Sequence, residues 1–170
     1  MVNIKEIIAN FIFGTRRFSN RYTKNFAKKI ENKKILEIGS GKGKHYTVKK
    51  FFDNSNEFIQ SDINPEYGHK IVDATKMNYQ NEFDIIICIN VLEHVFDFKK
   101  IIDNIYVALK PNGTALFYIP TFYPIHCEPE DYWRFTEHSL RKLLKKFSHI
   151  KIKYPGLRRY PFAYYIEAIK

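Results

Sequence analysis

The sequence predicts an α/β fold in which a mostly parallel β-sheet is flanked by helices. Short apolar runs rich in isoleucine and phenylalanine alternate with stretches whose apolar residues recur at helical spacing. Strands that alternate with helices are typical of a parallel sheet with right-handed crossover connections. The 170 residues suit one domain with one hydrophobic core.

Seven strands and three helices are expected after an N-terminal helical region. The strands cover residues 34–38, 57–61, 69–72, 83–89, 115–119, 150–154 and 164–169. The helices cover residues 44–52, 98–109 and 137–147, and Pro-Asn-Gly at 111–113 predicts a turn. The fourth strand is apolar almost throughout, as strands buried on both faces are. The links on either side of the third strand are too short for full crossover helices, so loops or single turns are expected there.

Residues 1–31 are expected to form a helical extension before the main domain, 32–170. Apolar residues recur at helical spacing through 4–12, and Gly14 suggests a break between two helices. Packing of this extension on the domain is the favoured interpretation. A lid over a substrate cleft, or a contact with a membrane surface, is the alternative.

Charge and cysteine content restrict the classes of partner and site. The formal net charge of +10 can attract nucleic acid, anionic lipid or a phosphorylated substrate, but a solvated lysine-rich surface explains it as well and is favoured. Cys88 and Cys127 are the only cysteines, so no disulfide framework is expected, and no Cys/His spacing predicts a metal site. No segment is apolar for long enough to span a bilayer, and no cleavable signal is visible, which fits a cytoplasmic protein.

A glycine-rich loop after the first strand is the strongest functional signal. The sequence Leu-Glu-Ile-Gly-Ser-Gly-Lys-Gly runs from position 36 to Gly43, between a predicted strand and a predicted helix. Glycines there let the backbone turn sharply and approach a ligand, and the following helix start offers N–H groups to an anion. The dinucleotide pattern counted from Gly41 has Tyr46 in place of its third glycine, and a P-loop would need Ser or Thr at position 45.

What remains of this pattern resembles the first motif of class I S-adenosylmethionine (SAM)-dependent methyltransferases. The resemblance implies a Rossmann-like, seven-stranded, mostly parallel sheet with an antiparallel last strand, flanked by helices. It also implies that SAM is the cofactor. The residues that it places at the cofactor in this loop are Glu37, Gly39, Ser40, Gly41 and Gly43.

Two acidic residues follow the second and third strands, at the edge where open α/β sheets bind ligands. Asp62, with Ile63 beside it, is placed to accept the ribose hydroxyls of the cofactor, although an aspartate in a turn is the alternative. The resemblance assigns Asp73 to the adenine amino group and the N–H of Ala74 to the adenine ring. A capping role for Asp73 competes with that assignment.

The segment Ile-Asn-Val-Leu-Glu-His-Val follows the fourth strand and resembles the small-molecule branch of these enzymes, which includes the type 11 methyltransferases. The resemblance places Asn90 and Val91 beside the methionine part of SAM. It places Glu93 and His94 at the mouth of the cleft. His94 is either a structural hydrogen-bonding histidine or a group that acts on the substrate proton.

The segment 120–136 follows the fifth strand and therefore lies on the same rim. It resembles a stretch found in a subset of these methyltransferases that is associated with genes for cell-surface sugars or secondary metabolites. Asp131 and Arg134 are expected to pair and brace the loop, and Thr136 to cap the next helix without a clean capping box at Ser139. His126 is the candidate general base, beside a wall formed by Tyr123 and the Tyr-Trp pair at 132–133.

These features together predict a SAM-dependent methyltransferase that acts on a small-molecule or sugar-linked acceptor. The motifs typical of DNA amino-methylating and cytosine-C5 enzymes are absent after the fourth strand. Methyl transfer to RNA or protein is the alternative that the net charge motivates, and a non-catalytic SAM-binding protein is the other. No metal is expected in the reaction.

Overall fold

The structure, a computed structural model, describes residues 4–43 and 46–170, and it describes the side chains of that part except those at 4–13 and 15. Three α-helices lie in the described part: α1 (Ile4–Ala27), α2 (Phe98–Ala108) and α3 (Glu137–Leu143). The strands there are β1 (Lys34–Ile38), β2 (Glu57–Asp62), β3 (Lys70–Ile71), β4 (Phe83–Ile89), β5 (Leu109–Pro120), β6 (His149–Lys153), β7 (Gly156–Leu157), β8 (Tyr160–Pro161) and β9 (Ala163–Ile169).

Seven of these strands form one sheet in the order β3-β2-β1-β4-β5-β9-β6, and β7 and β8 form a separate hairpin. The pairs from β3 across to β5 are parallel, whereas β9 runs antiparallel to both β5 and β6. The predicted fold class is therefore confirmed, including the antiparallel last strand. The strand order reverses between β1 and β4, and ligands of open α/β sheets bind at the carboxyl ends beside such a reversal.

The core occupies both faces of the sheet, as β4 shows most directly. Its residues Ile86 and Cys88 belong to the cluster under α2 and α3, and Ile85 and Ile87 belong to the cluster under α1. All four side chains are at most 3% exposed. Burial of an isoleucine contributes about 1.5–3 kcal/mol, so this strand anchors both layers. Cys88, which lies inside this apolar strand, is a core residue.

Helix α1 is continuous through Gly14, so the predicted break there is wrong. Glycine within a helix costs only about 1 kcal/mol relative to alanine, which packing of the rest of the helix offsets. The side chains of the apolar stripe at 4–12 lie outside the described residues. Farther along α1, Phe18, Tyr22 and Phe26 pack against the second core cluster, in agreement with the packing interpretation.

Other predicted elements have different bounds in the structure. The helix expected at 44–52 is reduced to a 3-10 turn at Lys49–Phe51, with residues 44 and 45 outside the described part. The helix expected at 137–147 ends at Leu143. The predicted turn at 111–113 lies within β5, where Asn112 has a φ of +64° and the pairing with β4 shifts register. The short links around β3 contain only turns, as expected.

Among the described residues, no helix is long and apolar enough to cross a membrane.

Candidate active site

The glycine loop after β1 has the backbone geometry that its sequence predicts. Gly39, Gly41 and Gly43 have φ values of +70°, +64° and +84°, a region that side chains with a Cβ rarely adopt. A Cβ at Gly39 would lie 2.5 Å from Cγ2 of Val91, whereas no atom of the described residues lies within 4 Å of a Cβ at Gly43. The loop therefore packs on the β4 loop at its Gly39 end.

The buried carboxylate of Glu37 stabilises the conformation of this loop. Its side chain is 3% exposed, and its carboxylate accepts hydrogen bonds from the Ser40 hydroxyl, the Thr47 hydroxyl and the Val48 N–H. Burial raises the pKa of Glu37, while these hydrogen bonds oppose that rise. Because the Val48 N–H and the Thr47 hydroxyl are committed to this carboxylate, the chain turns here where a helix was predicted.

Asp62 links the end of β2 to the glycine loop. One carboxylate oxygen accepts from the Gly41 N–H at 2.9 Å, and the other accepts from the Asn64 N–H at 3.0 Å. The second bond is the turn contact that was the alternative to ligand binding. A carboxylate has about four acceptor positions, so this arrangement leaves capacity for the hydroxyls of a ribose. Ile63, the next residue, is 64% exposed beside it.

Asp73 makes the local contacts expected of a capping residue. Its Oδ1 accepts from the N–H and the hydroxyl of Thr75, and its Oδ2 lies 3.0 Å from Nζ of Lys76. The hydrogen bond from the Thr75 hydroxyl is the main cause of its lowered pKa. Ala74 is buried, and its carbonyl accepts from the Asn104 amide. The structure thus accounts for both Asp73 oxygens without a ligand.

The loop after β4 presents Asn90 at the edge of the sheet. Asn90 has a φ of +54° and is exposed, and its N–H donates to the carbonyl of Tyr118. Val91 is the residue that a Cβ at Gly39 would strike. Leu92 is buried in the core. The glycine loop and the β4 loop therefore form adjoining walls at the reversal of strand order.

Glu93 is fully buried, so its predicted position at the mouth of the cleft is wrong. Neither carboxylate oxygen has a hydrogen-bond partner among the described residues, and burial raises its pKa to about 8. Its backbone carbonyl accepts from the N–H groups of Tyr132 and Trp133 at 2.8 and 3.2 Å. These two bonds hold the segment after β5 against the β4 loop.

The predicted brace within that segment is present. The guanidinium of Arg134 binds both Asp131 oxygens, at 2.6 and 2.8 Å, and holds the pKa of Asp131 well below its usual range. Asp131 also accepts from the backbone N–H of His126. Thr136 caps α3, and contrary to expectation Ser139 completes a capping box, because its hydroxyl accepts from the Thr136 N–H.

The fold brings the two candidate bases into contact. The rings of His94 and His126 meet edge to face with centroids 4.7 Å apart, and the Tyr123 ring lies 4.8 Å from His126. Trp133 does not join this wall, since its ring packs against Phe98 at 5.2 Å on the core side. Tyr132 packs against Phe96, with ring centroids 5.6 Å apart, so Tyr123 is the member of the predicted wall whose ring contacts His126.

A cysteine that the sequence analysis did not single out lies beside the histidines. One ligand atom from each of His94, His126 and Cys127 falls within 4.8 Å of the other two. No spacing rule reveals this cluster, because its members come from the ends of two different strands. The spacing of Cys and His along the chain therefore did not predict this cluster.

Helix α1 also reaches this rim. The guanidinium of Arg16 lies 5.2 Å from the centroid of the Tyr46 ring, whose Cβ would contact a Cβ at Gly41. The charge of Arg16 also acts on Tyr123, where it opposes the rise in pKa that burial causes. The extension thus contributes a side chain near both the glycine loop and the candidate bases.

Comparisons with known proteins agree with this geometry. A family described as a methyltransferase domain matches residues 11–148. The ubiquinone biosynthesis O-methyltransferase of Rickettsia bellii (strain OSU 85-389) is 26% identical over 100 residues, which are 51% of this chain and 42% of that protein. The chain spans less than half the length of such curated relatives.

Two solved structures share the fold over nearly the whole chain. A SAM-dependent methyltransferase from Archaeoglobus fulgidus has a TM-score of 0.71 and 15% identity, covering 99% of this chain and 100% of that one. The 1,6-didemethyltoxoflavin-N1-methyltransferase of Burkholderia thailandensis, solved with S-adenosylhomocysteine, has a TM-score of 0.66 and 14% identity, covering 98% and 86%. At these identities the likeness concerns the fold.

Proposed function

The chain belongs to the family of methyltransferase domains that use SAM, and we propose that it transfers the methyl group of SAM to a small-molecule acceptor. The observation that carries this proposal is the contact between the glycine loop and the β2 carboxylate. Asp62 accepts from the Gly41 N–H at 2.9 Å, directly beside the reversal of strand order.

The residues present fit the cofactor. Three loop glycines at alternate positions have positive φ, no described atom would contact a Cβ at Gly43, and Asp62 retains acceptor capacity for the ribose. We assign Asp73 and Ala74 to the adenine and Asn90 and Val91 to the methionine part. Glu37 acts through the loop that it shapes. The full set proposed for the cofactor is Glu37, Gly39, Ser40, Gly41, Gly43, Asp62, Ile63, Asp73, Ala74, Asn90 and Val91.

SAM supplies a methyl group that is already activated by its sulfonium. The protein therefore has mainly to align the acceptor with the methyl carbon and sulfur. For a hydroxyl acceptor, a base must also remove the proton. His126 and His94 are the candidates in the metal-free chain, because each has its Nδ1 beside a backbone carbonyl oxygen, at 3.1 and 2.6 Å. A carbonyl can only accept, so each Nε2 is left with a lone pair.

The choice of a small molecule rests on the relatives that the chain resembles. The name of the Rickettsia bellii relative places that protein in ubiquinone biosynthesis, and the Burkholderia thailandensis enzyme was solved with bound 1,6-didemethyltoxoflavin. A sugar-linked metabolite belongs to the same class. The net charge of +10 favours RNA or protein as the second candidate acceptor.

Calorimetry with SAM, S-adenosylhomocysteine and NAD tests the proposal. We expect binding of the first two and none of NAD, because Tyr46 occupies the position where a dinucleotide site needs glycine. Tight NAD binding without SAM binding would overturn it. Measuring RNA binding across a salt series separates the acceptor classes. Electrostatic binding is strongest at low salt, so a chain that does not bind RNA even there is not expected to act on nucleic acid.

A further inference from the structure

Three side chains with the chemistry of metal ligands converge on the rim of the candidate site. They are His94 from the loop after β4, and His126 and Cys127 from the segment after β5. The two histidines are partly exposed and Cys127 is exposed, so the cluster is open to solvent. Nothing in the cofactor site proposed above requires Cys127.

The hydrogen bonds behind the histidines orient them as ligands. Nδ1 of His94 lies 2.6 Å from the carbonyl oxygen of Glu130. Nδ1 of His126 lies 3.1 Å from the carbonyl oxygen of Pro124 and 3.2 Å from Oδ2 of Asp131. All three oxygens accept hydrogen bonds, so Nδ1 carries the proton in both rings. Histidines that bind metals are held in the same way, with the second ring nitrogen donating to a carbonyl or carboxylate.

Two carboxyl groups lie behind the histidines of the cluster. The carboxylate of Glu93 is 0% exposed, has no hydrogen-bond partner among the described residues, and has Oε1 3.9 Å from Nε2 of His94. The charge of Arg134 already acts on Glu93, so this group does not by itself require a further cation. Asp131 adds a second carboxylate behind His126. Asp131, which also pairs with Arg134, therefore supplies the negative charge on the protein side of the cluster.

We propose that His94, His126 and Cys127 bind one Zn²⁺ ion, with the fourth coordination position open to solvent. Two imidazoles and one thiolate are ligands that Zn²⁺ takes readily, whereas Mg²⁺ and Ca²⁺ prefer oxygen. Three protein ligands with one open position are the arrangement of zinc sites that bind a water or a substrate. The ion would also tie the segment after β5 to the β4 loop.

The zinc site also indicates the class of acceptor. This inference about the acceptor rests on the proposed function, whereas the zinc site itself does not. With the ion bound, both Nε2 atoms are occupied, so neither imidazole serves as a free base. A cation at the open position lowers the pKa of a hydroxyl that binds there. The class of acceptor that such a site favours is a small molecule with a hydroxyl group.

The test uses the full chain without a histidine tag, freed of metal by a chelator. Calorimetric titration with Zn²⁺ should give one site per chain. Titration with Co²⁺ should give the charge-transfer absorption of a cobalt–thiolate bond and the visible bands of a tetrahedral ion. His94→Ala, His126→Ala and Cys127→Ser should each weaken Zn²⁺ binding by about 100-fold or more, since loss of an outer partner alone costs 10–100-fold.

His138 and His149 provide matched controls, because both are exposed histidines outside the cluster. His138→Ala and His149→Ala should leave the affinity unchanged, and circular dichroism of the metal-free variants checks that each is folded. Absence of Zn²⁺ binding to the parent chain would overturn the proposal. So would unchanged Zn²⁺ affinity in Cys127→Ser together with no cobalt–thiolate band in the parent chain. SAM binding is measured on the same samples. If the parent chain binds Zn²⁺ but not SAM, the proposed function is contradicted and the zinc site is not. If it binds SAM but not Zn²⁺, the zinc site is contradicted and the proposed function is not.

Discussion

The contact between Gly39 and Val91 allows the geometry of the cofactor loop to be tested by a mutant cycle. Gly39→Ala adds a Cβ that would lie 2.5 Å from Val91 Cγ2, at a φ of +70°. The left-handed conformation costs about 1–2 kcal/mol for a residue with a Cβ, and overpacking costs typically 1–3 kcal/mol. We therefore expect Gly39→Ala to lower the free energy of unfolding by about 2–5 kcal/mol, the sum of these two ranges.

Val91→Ala removes Cγ2, the methyl group that the new Cβ at position 39 would overlap, and leaves the backbone unchanged. In the double variant the overpacking should disappear and only the conformational cost should remain. The coupling between the two substitutions is then favourable by about 1–3 kcal/mol. Urea unfolding of the four proteins measures the cycle, and calorimetry with S-adenosylhomocysteine measures the consequence for the ligand. Two results would refute this geometry of the loop. One is that the two substitutions change the free energy of unfolding additively, and the other is that Gly39→Ala changes neither stability nor affinity for S-adenosylhomocysteine.

Three further predictions concern ionisable side chains in and beside the site. Asp62→Ala should weaken SAM binding more than Asp73→Ala, as calorimetry would show, because Asp73 already spends both oxygens on its own turn; equal losses would contradict the assignment. Burial raises the pKa of Glu93 to about 8 in the folded protein from an ordinary value of 4.5, so stability should fall as pH rises from about 4.5 to 8. Urea midpoints across that range should lose much of this slope in Glu93→Gln, and an unchanged slope would count against burial as its cause. For a hydroxyl acceptor and the metal-free chain, His126→Ala should lower turnover roughly 10²–10⁴-fold with little change in SAM affinity, and full turnover in that variant but not in His94→Ala would transfer the role of the base.

The sheet was predictable because its strands carry strong apolar patterns. β4 is bounded as predicted, since Phe83–Ile89 is buried on both faces and nothing polar interrupts it. The third strand was predicted too long, because only Lys70 and Ile71 pair with β2. The spacing of apolar residues and the composition thus identify strands with buried side chains. They identify exposed strands at the sheet edge less well.

The helix expected at 44–52 illustrates how a tertiary contact overrides a local pattern. Its apolar spacing suggested a helix, but Glu37, ten residues or more earlier in the chain, takes the Thr47 hydroxyl and the Val48 N–H. Likewise, Glu93 looks like a polar rim residue in sequence, yet the segment after β5 covers it by binding its carbonyl. Neither contact has a signature in the spacing of residues along the chain.

The two halves of the site differ in what determines their geometry, and this difference explains which half could be predicted. On the cofactor side, the contacts come from the backbone at strand ends: Gly41 N–H binds Asp62, and Ser40 N–H binds the Ser61 carbonyl. Any chain with this strand order and these glycines will place those groups alike. Because they are already held in position, little conformational entropy is lost when a ligand binds.

On the acceptor side, the geometry depends on side chains within one segment. The Asp131–Arg134 pair shapes that segment, and the Glu93 carbonyl attaches it to the β4 loop. These contacts position His126 without involving the glycine loop. A change at Asp131 or Arg134 should therefore alter how the acceptor is held while leaving the backbone contacts of the cofactor loop intact, so that the two halves of the site can vary independently.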